Sequence, residues 1–406
     1  MDRRRWATLA GRLLGASVIA QVAVLAATAV ALPSLAPTDL ALYGFVLGAC
    51  TMSVTINTWA VETRIAVTDE RVAHSLRRAG TAVVIIAGLL WLVAGLGLTT
   101  FSSHWAATAA FLSAAGSTAM GLHALAAAIM LRRQQQRELA DARVVQGVSN
   151  ALLILALLAL PTPRLFVLPI AWILSTCAAL VIMSRALGPA WGVPERPRRE
   201  DWTALRKETG HQPLANVLAG AVEPMPLVLL PIIASPALAG GWALLTRFLQ
   251  PLVMTTYSAL QPVYYGQAAQ LAREGRWPGL SVWHRRWMLL LAAAVVPAGM
   301  AFYLISIVLP MLLGPEWSSA SWLAWAATAY YVSLLVCLPL SQTLLVLGRL
   351  RTQLRWAATR FAVSVTPFAL SHWWPAERIL VLWIVASSVA FYAQLGLHRR
   401  ALADIT

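Results

Sequence analysis

Charge is what this chain has least of. Only 12% of its 406 residues are Asp, Glu, Lys or Arg, whereas soluble domains usually carry about 25%. Carboxylates are the scarcer sign, 16 against 31 basic residues. The loops expected on the outer face hold few acids, chiefly Asp39, Glu316 and Glu377, and no paired-carboxylate site. A membrane glycosyltransferase or ligase needs carboxylates or His held outside the bilayer beside a sugar donor, so this scarcity argues against an enzyme. No glycine-rich phosphate cradle and no nucleotide-binding motif is present. Energy for any transport must then come from a gradient, the membrane potential or consumption at the far side. Cysteine is nearly absent: Cys50, Cys177 and Cys337 all fall in apolar runs, at spacings that fit neither a metal site nor a disulfide framework. No metal and no cofactor is expected, and no stretch between apolar runs is long enough for a separate soluble domain.

Apolar residues make up 59% of the chain. Runs of about 20 residues recur from end to end, each long enough to cross about 30 Å of hydrocarbon. The fold class expected is therefore an all-α polytopic membrane protein. Arg3, Arg4 and Arg5 precede an apolar run as in a secretory signal peptide, but the run over 13–32 exceeds the usual 7–15 residues and is read as the first span. Twelve spans are placed near 13–32, 40–61, 80–100, 106–130, 144–161, 165–184, 213–234, 240–262, 287–309, 320–342, 351–370 and 378–397. On that topology 28 of the 31 cations fall on one face, Arg360 among them, leaving only Arg164, Arg247 and Arg378 elsewhere. By the positive-inside rule that face is cytoplasmic, which puts both termini inside a bacterial inner membrane. It also accounts for the net charge of +15: the cations are topogenic, and no folded basic face exists to bind nucleic acid.

Residues 31–47 and 229–245 align at a constant offset of 198, with Leu32/Leu230, Pro33/Pro231, Ala36/Ala234, Leu40/Leu238, Ala41/Ala239 and Leu47/Leu245 identical. Six spans repeated in the same direction predict two lobes about an axis along the membrane normal. The expected domains are 1–184 and 213–406, joined by a cytoplasmic linker over 185–212. Within the linker, Asp201 to His211 reads as a surface helix with Trp202 and Leu205 facing lipid. Among the 18 tryptophans, Trp105, Trp317, Trp373 and Trp374 sit at outer span ends, as an interfacial belt requires.

A charge at mid-bilayer costs about 2.5–3.5 kcal/mol on insertion scales. Glu223 in the seventh span and Arg247 in the eighth are the two that stand out. Their depths differ by about 6 Å at 1.5 Å per residue, so they either close as a buried ion pair or serve a cavity. Pro224 and Pro226 interrupt the backbone ladder beside Glu223, as in a helix bent around a cavity. Gln21, Asn57, His123, Asn150, Asn216, Tyr257, Gln261 and Gln342 also fall within spans; interhelical hydrogen bonding is their simpler reading, a hydrated interior the other. Arg12, Arg64, Arg137 and Arg143 mark the inner mouth, where headgroups are the expected contacts.

The segments RLLGASVIAQVAVL and PTDLALYGFVLG, then Glu62 before IAVTDERVAHSLRRAG, resemble Wzx-like O-antigen flippases of the multidrug/oligosaccharidyl-lipid/polysaccharide superfamily. So does EPMPLVLLPIIASPALAGGWALLTRFLQPLVMTTYSALQPVYYGQAAQLAREG, with Pro226, then Gly241, Trp242, Ala243 and Leu244, then Arg247 and Pro251, and so does LRRQQQRELADARVVQ after the fourth span. The likeness covers most of 8–280. It departs at Ala60, where that family often has Arg, and at Glu223, where amides are common. The resemblance implies an exporter of lipid-linked oligosaccharide or polysaccharide precursors, working by alternating access for envelope glycan synthesis. Its partners would be a polyprenyl-linked glycan, the bilayer, and polymerase or ligase components. Arg247 would contact the lipid phosphate or an acidic sugar, with Glu223 restraining it or carrying a proton. The alternative within the superfamily is a cation-coupled multidrug exporter. Such exporters commonly couple through an acid in the first span, where this chain has only Gln21.

Overall fold

The computed structural model describes residues 3–59, 61–65, 68–101, 104–133, 135–188, 191, 196–210, 212–313, 317 and 322–405. Among them there is helix and no strand, as expected where every backbone group must find its partner within the spanning segment. The first half runs through α1 (Arg3–Ala31), α2 (Pro37–Asn57), a short α3 (Val61–Ile65), α4 (Glu70–Phe101), α5 (His104–Arg132), α6 (Gln136–Ala159) and α7 (Val167–Leu187). A surface helix α8 (Arg199–Thr209) follows, then α9 (Gln212–Val222) and α10 (Met225–Ile233). The rest comprises α11 (Pro236–Arg273), α12 (Trp277–Leu313), α13 (Ala324–Cys337), α14 (Thr343–Val346), α15 (Leu350–Ala369) and α16 (Ala376–Ala403). Among the described residues, eight helices are long and apolar enough to cross a membrane, nine if the bent pair α9–α10 forms one span. Adding α2, α11 and α15 gives the twelve expected from the sequence.

The local chemistry explains the breaks. Pro37 occupies the first turn of α2 and Pro236 that of α11, where a missing N–H costs nothing. The Asp39 carboxylate accepts the Ala36 N–H at 2.8 Å, and the Ser235 hydroxyl accepts the Leu238 N–H at 3.3 Å. The two repeat segments thus share a helix–turn–helix with proline at its restart. The seventh span is broken at Glu223–Pro224, and α9 and α10 meet at 52°.

By packing, the chain divides at Pro231/Ile232 rather than in the 185–212 linker. The cause is close approach: a Cβ on Gly48 of α2 would lie 2.9 Å from Leu227 Cβ, 3.0 Å from Val228 Cγ2 and 3.2 Å from the Pro224 carbonyl. Only glycine lets α10 lie so near α2. Two expectations change. Leu205 is 5% exposed, packed with Val61, Ile65, Leu76 and Leu139 rather than turned to lipid, while Trp202 is outward as expected. Trp317 is likewise buried, although Trp373 and Trp374 are exposed and Trp105, half-buried, lies edge-on to Phe45.

Candidate functional site

Each unit carries polar groups inside its helices. In the first unit they form a strip along α6, where Arg143, Gln146 and Asn150 recur at helical spacing on one face. Arg143 Nη1 donates to Ser17 Oγ of α1 at 3.1 Å, Gln146 Nε2 to Thr176 Oγ1 of α7 at 3.2 Å, and Asn150 Nδ2 to Ser175 Oγ at 3.1 Å. Gln21, half-buried, lies one turn beyond Ser17 on α1. His123 of α5 is also half-buried, with its Nε2 enclosed and unbonded. Ser17, Gln21 and Arg143 thus gather along the α1–α6 seam. Arg143 is therefore turned into the unit and not to headgroups as the sequence suggested.

The other first-unit candidates are scattered. Asn150 is 3% exposed and serves the α6–α7 joint, its simpler reading. Asn216 Oδ1 accepts from Gln212 Nε2 at 3.1 Å within α9. Arg64 is half-buried on α3 and Arg137 exposed at the start of α6. Asn57 and Arg12 belong to α2 and α1, but their side chains lie outside the described residues. Glu62, half-buried in the first turn of α3, hydrogen-bonds the Thr58 hydroxyl. Burial raises its pKa above the usual carboxylate range, against the pull of that bond and of its own backbone N–H. Glu223 is half-buried at the α9–α10 bend.

The second unit buries two arginines in its helices. Arg247 of α11 is 8% exposed and Arg360 of α15 is 9% exposed. Arg360 lies about 15 Å along its helix at 1.5 Å per residue, with its guanidinium 4.1 Å from the centre of the Phe391 ring. It is an interior group, not one of the topogenic cations with which the sequence reading counted it. Its depth, well inside the span placed at 351–370 and just before the apolar stretch FAVSV, was the signal for it. Beside Arg247, Tyr331 Oη donates to Thr246 Oγ1 at 3.0 Å. Tyr331, Tyr330 and Trp383 surround Trp242, with ring centres 6.3, 6.2 and 5.8 Å from it. Tyr257 hydrogen-bonds Gln342, and Gln261 is half-buried one turn further on. The sequence of α11 to α16 places carboxylates only at helix ends: Glu274 follows α11, Glu377 opens α16 and Asp404 follows it, while Glu316 lies outside the described residues.

A second polar cluster of this unit was missed from sequence. Tyr264 Oη lies 2.9 Å from His284 Nδ1 and 2.7 Å from Thr343 Oγ1, and Thr343 gives its own proton to the Leu340 carbonyl at 2.6 Å. Tyr264 must then donate to Thr343 and accept from His284, which fixes the neutral imidazole with its proton on Nδ1. His398 packs edge-on to His284 with ring centres 5.8 Å apart, and both its nitrogens are buried without a partner. The sequence reading put 262–287 in a loop. In fact α11 and α12 run 38 and 37 residues and turn only at Glu274–Arg276, so these residues pack as helix.

No protein-family model and no curated protein matches the sequence. Solved structures do. An inward-facing multidrug resistance MATE family transporter of the MOP superfamily aligns with a TM-score of 0.62 at 14% identity, over 98% of both chains. An outward-facing one aligns at 0.59 and 12% identity, over 98% of this chain and 96% of that one. The chain therefore shares the fold of these transporters. A third member, from Pyrococcus furiosus, aligns at 0.63 and 13% identity over 98% and 96% of the two chains. It is described as having a binding pocket of reverse polarity that suggests a different function.

Proposed function

We propose that this chain is an alternating-access exporter of amphiphilic molecules, and that its substrate carries an anionic group. The fold likeness to both inward- and outward-facing transporters supports the first part. Because those neighbours are multidrug transporters, a multidrug-type exporter is better supported than the polysaccharide flippase that the sequence resembles. The second part rests on one observation: Arg247 and Arg360 are buried in a unit whose described carboxylates lie only at helix ends. Guanidinium groups held in a low-dielectric interior favour an anionic group over an organic cation. The neighbour described as having reverse pocket polarity supports the idea that this fold can accommodate either sign.

The arginines also keep a second reading alive, flipping of a lipid-linked glycan whose phosphate they would hold while the lipid tail stays in the bilayer. One strain separates the two: cells depleted of the protein, complemented with wild type or Arg247→Ala. For a drug-type exporter, depletion raises sensitivity to anionic amphiphiles, leaves lipid-linked oligosaccharide unchanged, and Arg247→Ala does not restore resistance. Losing a charge-assisted contact worth about 1.5–3 kcal/mol corresponds to roughly 10- to 150-fold in affinity. For a flippase, oligosaccharide is trapped on the inner leaflet and Arg247→Ala fails to release it. Sensitivity to organic cations alone, restored by both proteins, would refute the anionic reading.

A further inference from the structure

The surface helix α8 carries a feature that neither substrate reading uses. Its inner face is anchored: Arg78 Nη2 meets Asp201 Oδ1 at 2.9 Å, the Arg198 N–H bonds Asp201 Oδ2 at 2.8 Å, and Leu205 and Thr209 are buried. Along the edge of that contact runs a slot of about 430 Å³, lined by Trp59, Val83, Trp202, Leu205 and Arg206 with Thr209 and Gly210 at its end. A second cleft of about 640 Å³ adjoins it, lined by Arg199, Trp202, Thr203, Arg206 and Lys207. Trp202 and Arg206 border both. The pair is therefore amphiphilic, an apolar slot continuous with a tricationic mouth. No acid lines either cavity among the described residues: Asp201 faces Arg78, and Glu200 and Glu208 lie outside the lining.

Two details mark this as more than a basic stretch of linker. Trp59 is held at φ 50°, in the left-handed region that bulky residues rarely adopt, and stays 41% exposed at the slot. Trp202 is 38% exposed beside it, so two indoles border an apolar slot, as indoles do at headgroup depth. The cationic mouth lies on the face the distribution of arginines assigns to the inner leaflet, where anionic lipids draw basic groups.

We propose that α8 and the turn at Trp59 form a binding site for one anionic phospholipid of the bilayer. Its phosphate sits among Arg199, Arg206 and Lys207, and one acyl chain lies in the slot between Trp59 and Trp202. The lipid bridges α8 to α2 and α4, and so fixes the segment that joins the two halves of the sequence.

Native mass spectrometry of the full-length protein, titrated with dioleoylphosphatidylglycerol or dioleoylphosphatidylcholine, tests this. The wild type is expected to hold one phosphatidylglycerol well before others bind, and no phosphatidylcholine. In the Arg199→Gln/Arg206→Gln/Lys207→Gln variant that first affinity falls by about 100-fold, taking each basic contact at its usual worth. Trp202→Ala weakens it without changing the headgroup preference. Arg351→Gln/Arg355→Gln, on exposed positions of α15, leaves it intact. Equal retention of phosphatidylcholine by the wild type, undiminished retention by the triple variant, or an equal loss in the α15 variant would each overturn the site.

Discussion

The seam between α1 and α6 makes the sharpest claim on stability, through Gly147. A Cβ there would lie 2.4 Å from both Cα and Cβ of Ala20 and 2.7 Å from its carbonyl oxygen. Carbon atoms rest at about 3.5–4.0 Å, so Gly147→Ala forces the helices apart by more than an ångström. The obstacle is backbone, which cannot swing aside like the end of a side chain. Overpacking of this kind costs about 1–3 kcal/mol, set against a helix-propensity gain of up to about 1 kcal/mol for replacing glycine. Gly15→Ala supplies the control: it is also on α1, with nothing within 4 Å of its added Cβ, so only the propensity gain applies. Reversible unfolding in mixed detergent micelles, followed by tryptophan emission, should place Gly147→Ala below Gly15→Ala by about 1–3 kcal/mol. The same displacement would part Ser17 from Arg143, now 3.1 Å away. If the two variants unfold together, the close approach of α1 and α6 is wrong, and the polar strip along the seam with it.

Two further outcomes follow from buried polar groups. Burial alone would raise the Asp201 pKa, but the Arg198 N–H, the Ser75 hydroxyl and Arg78 outweigh it and hold the carboxyl below its usual value. Its contribution is thus complete above the ordinary carboxylate pKa of about 4 and is lost as pH falls through the lower folded value. Amide exchange in α8, corrected for intrinsic rate, should accelerate over that acid range in the wild type but show no such pH step in Asp201→Asn; a step that persists in the variant refutes the assignment. Tyr264→Phe leaves the His284 N–H without its acceptor, at a cost of about 1–3 kcal/mol. Unfolding within about 0.5 kcal/mol of the wild type, the usual range for a surface change, would show that the Tyr264–His284–Thr343 chain is not formed.

Periodicity and charge made the spans legible, because lipid leaves few ways to satisfy a backbone. The break at Glu223–Pro224 was legible for the same reason, proline removing a ladder donor. What escaped was direction within a helix. Leu205 reads as lipid-facing on a surface helix, yet the Arg78–Asp201 bridge rotates that side of α8 inward. Arg360 reads as one more cation of the positive face, although its depth in α15 and its place over Phe391 make it interior. Asn150 reads first as a helix joint and second as a cavity residue, and its bond to Ser175 places it at the joint. Spacing along a chain reports which residues share a face; it does not report which neighbour that face meets.

The distribution of carboxylates constrains energy coupling more tightly than the fold does. A proton carried by a carboxylate needs an acid that is neither solvated at a helix end nor locked in a bridge. In the second unit, no described acid qualifies, since Glu274, Glu377 and Asp404 all lie at helix ends. In the first unit, α1 offers only Gln21, Asp201 is engaged with Arg78, and Asp39 caps α2. Of the other described acids of this unit, Glu70 meets Arg132, Asp69, Glu138, Asp141, Glu200 and Glu208 lie near helix ends, and Glu62 and Glu223 are half-buried. Glu223 differs in sitting where the span itself is broken, so that a change in its charge acts on the hinge between α9 and α10. The charged side chains thus divide by place: buried arginines in the helices of one unit, and a half-buried carboxylate at the bend of the other's broken span.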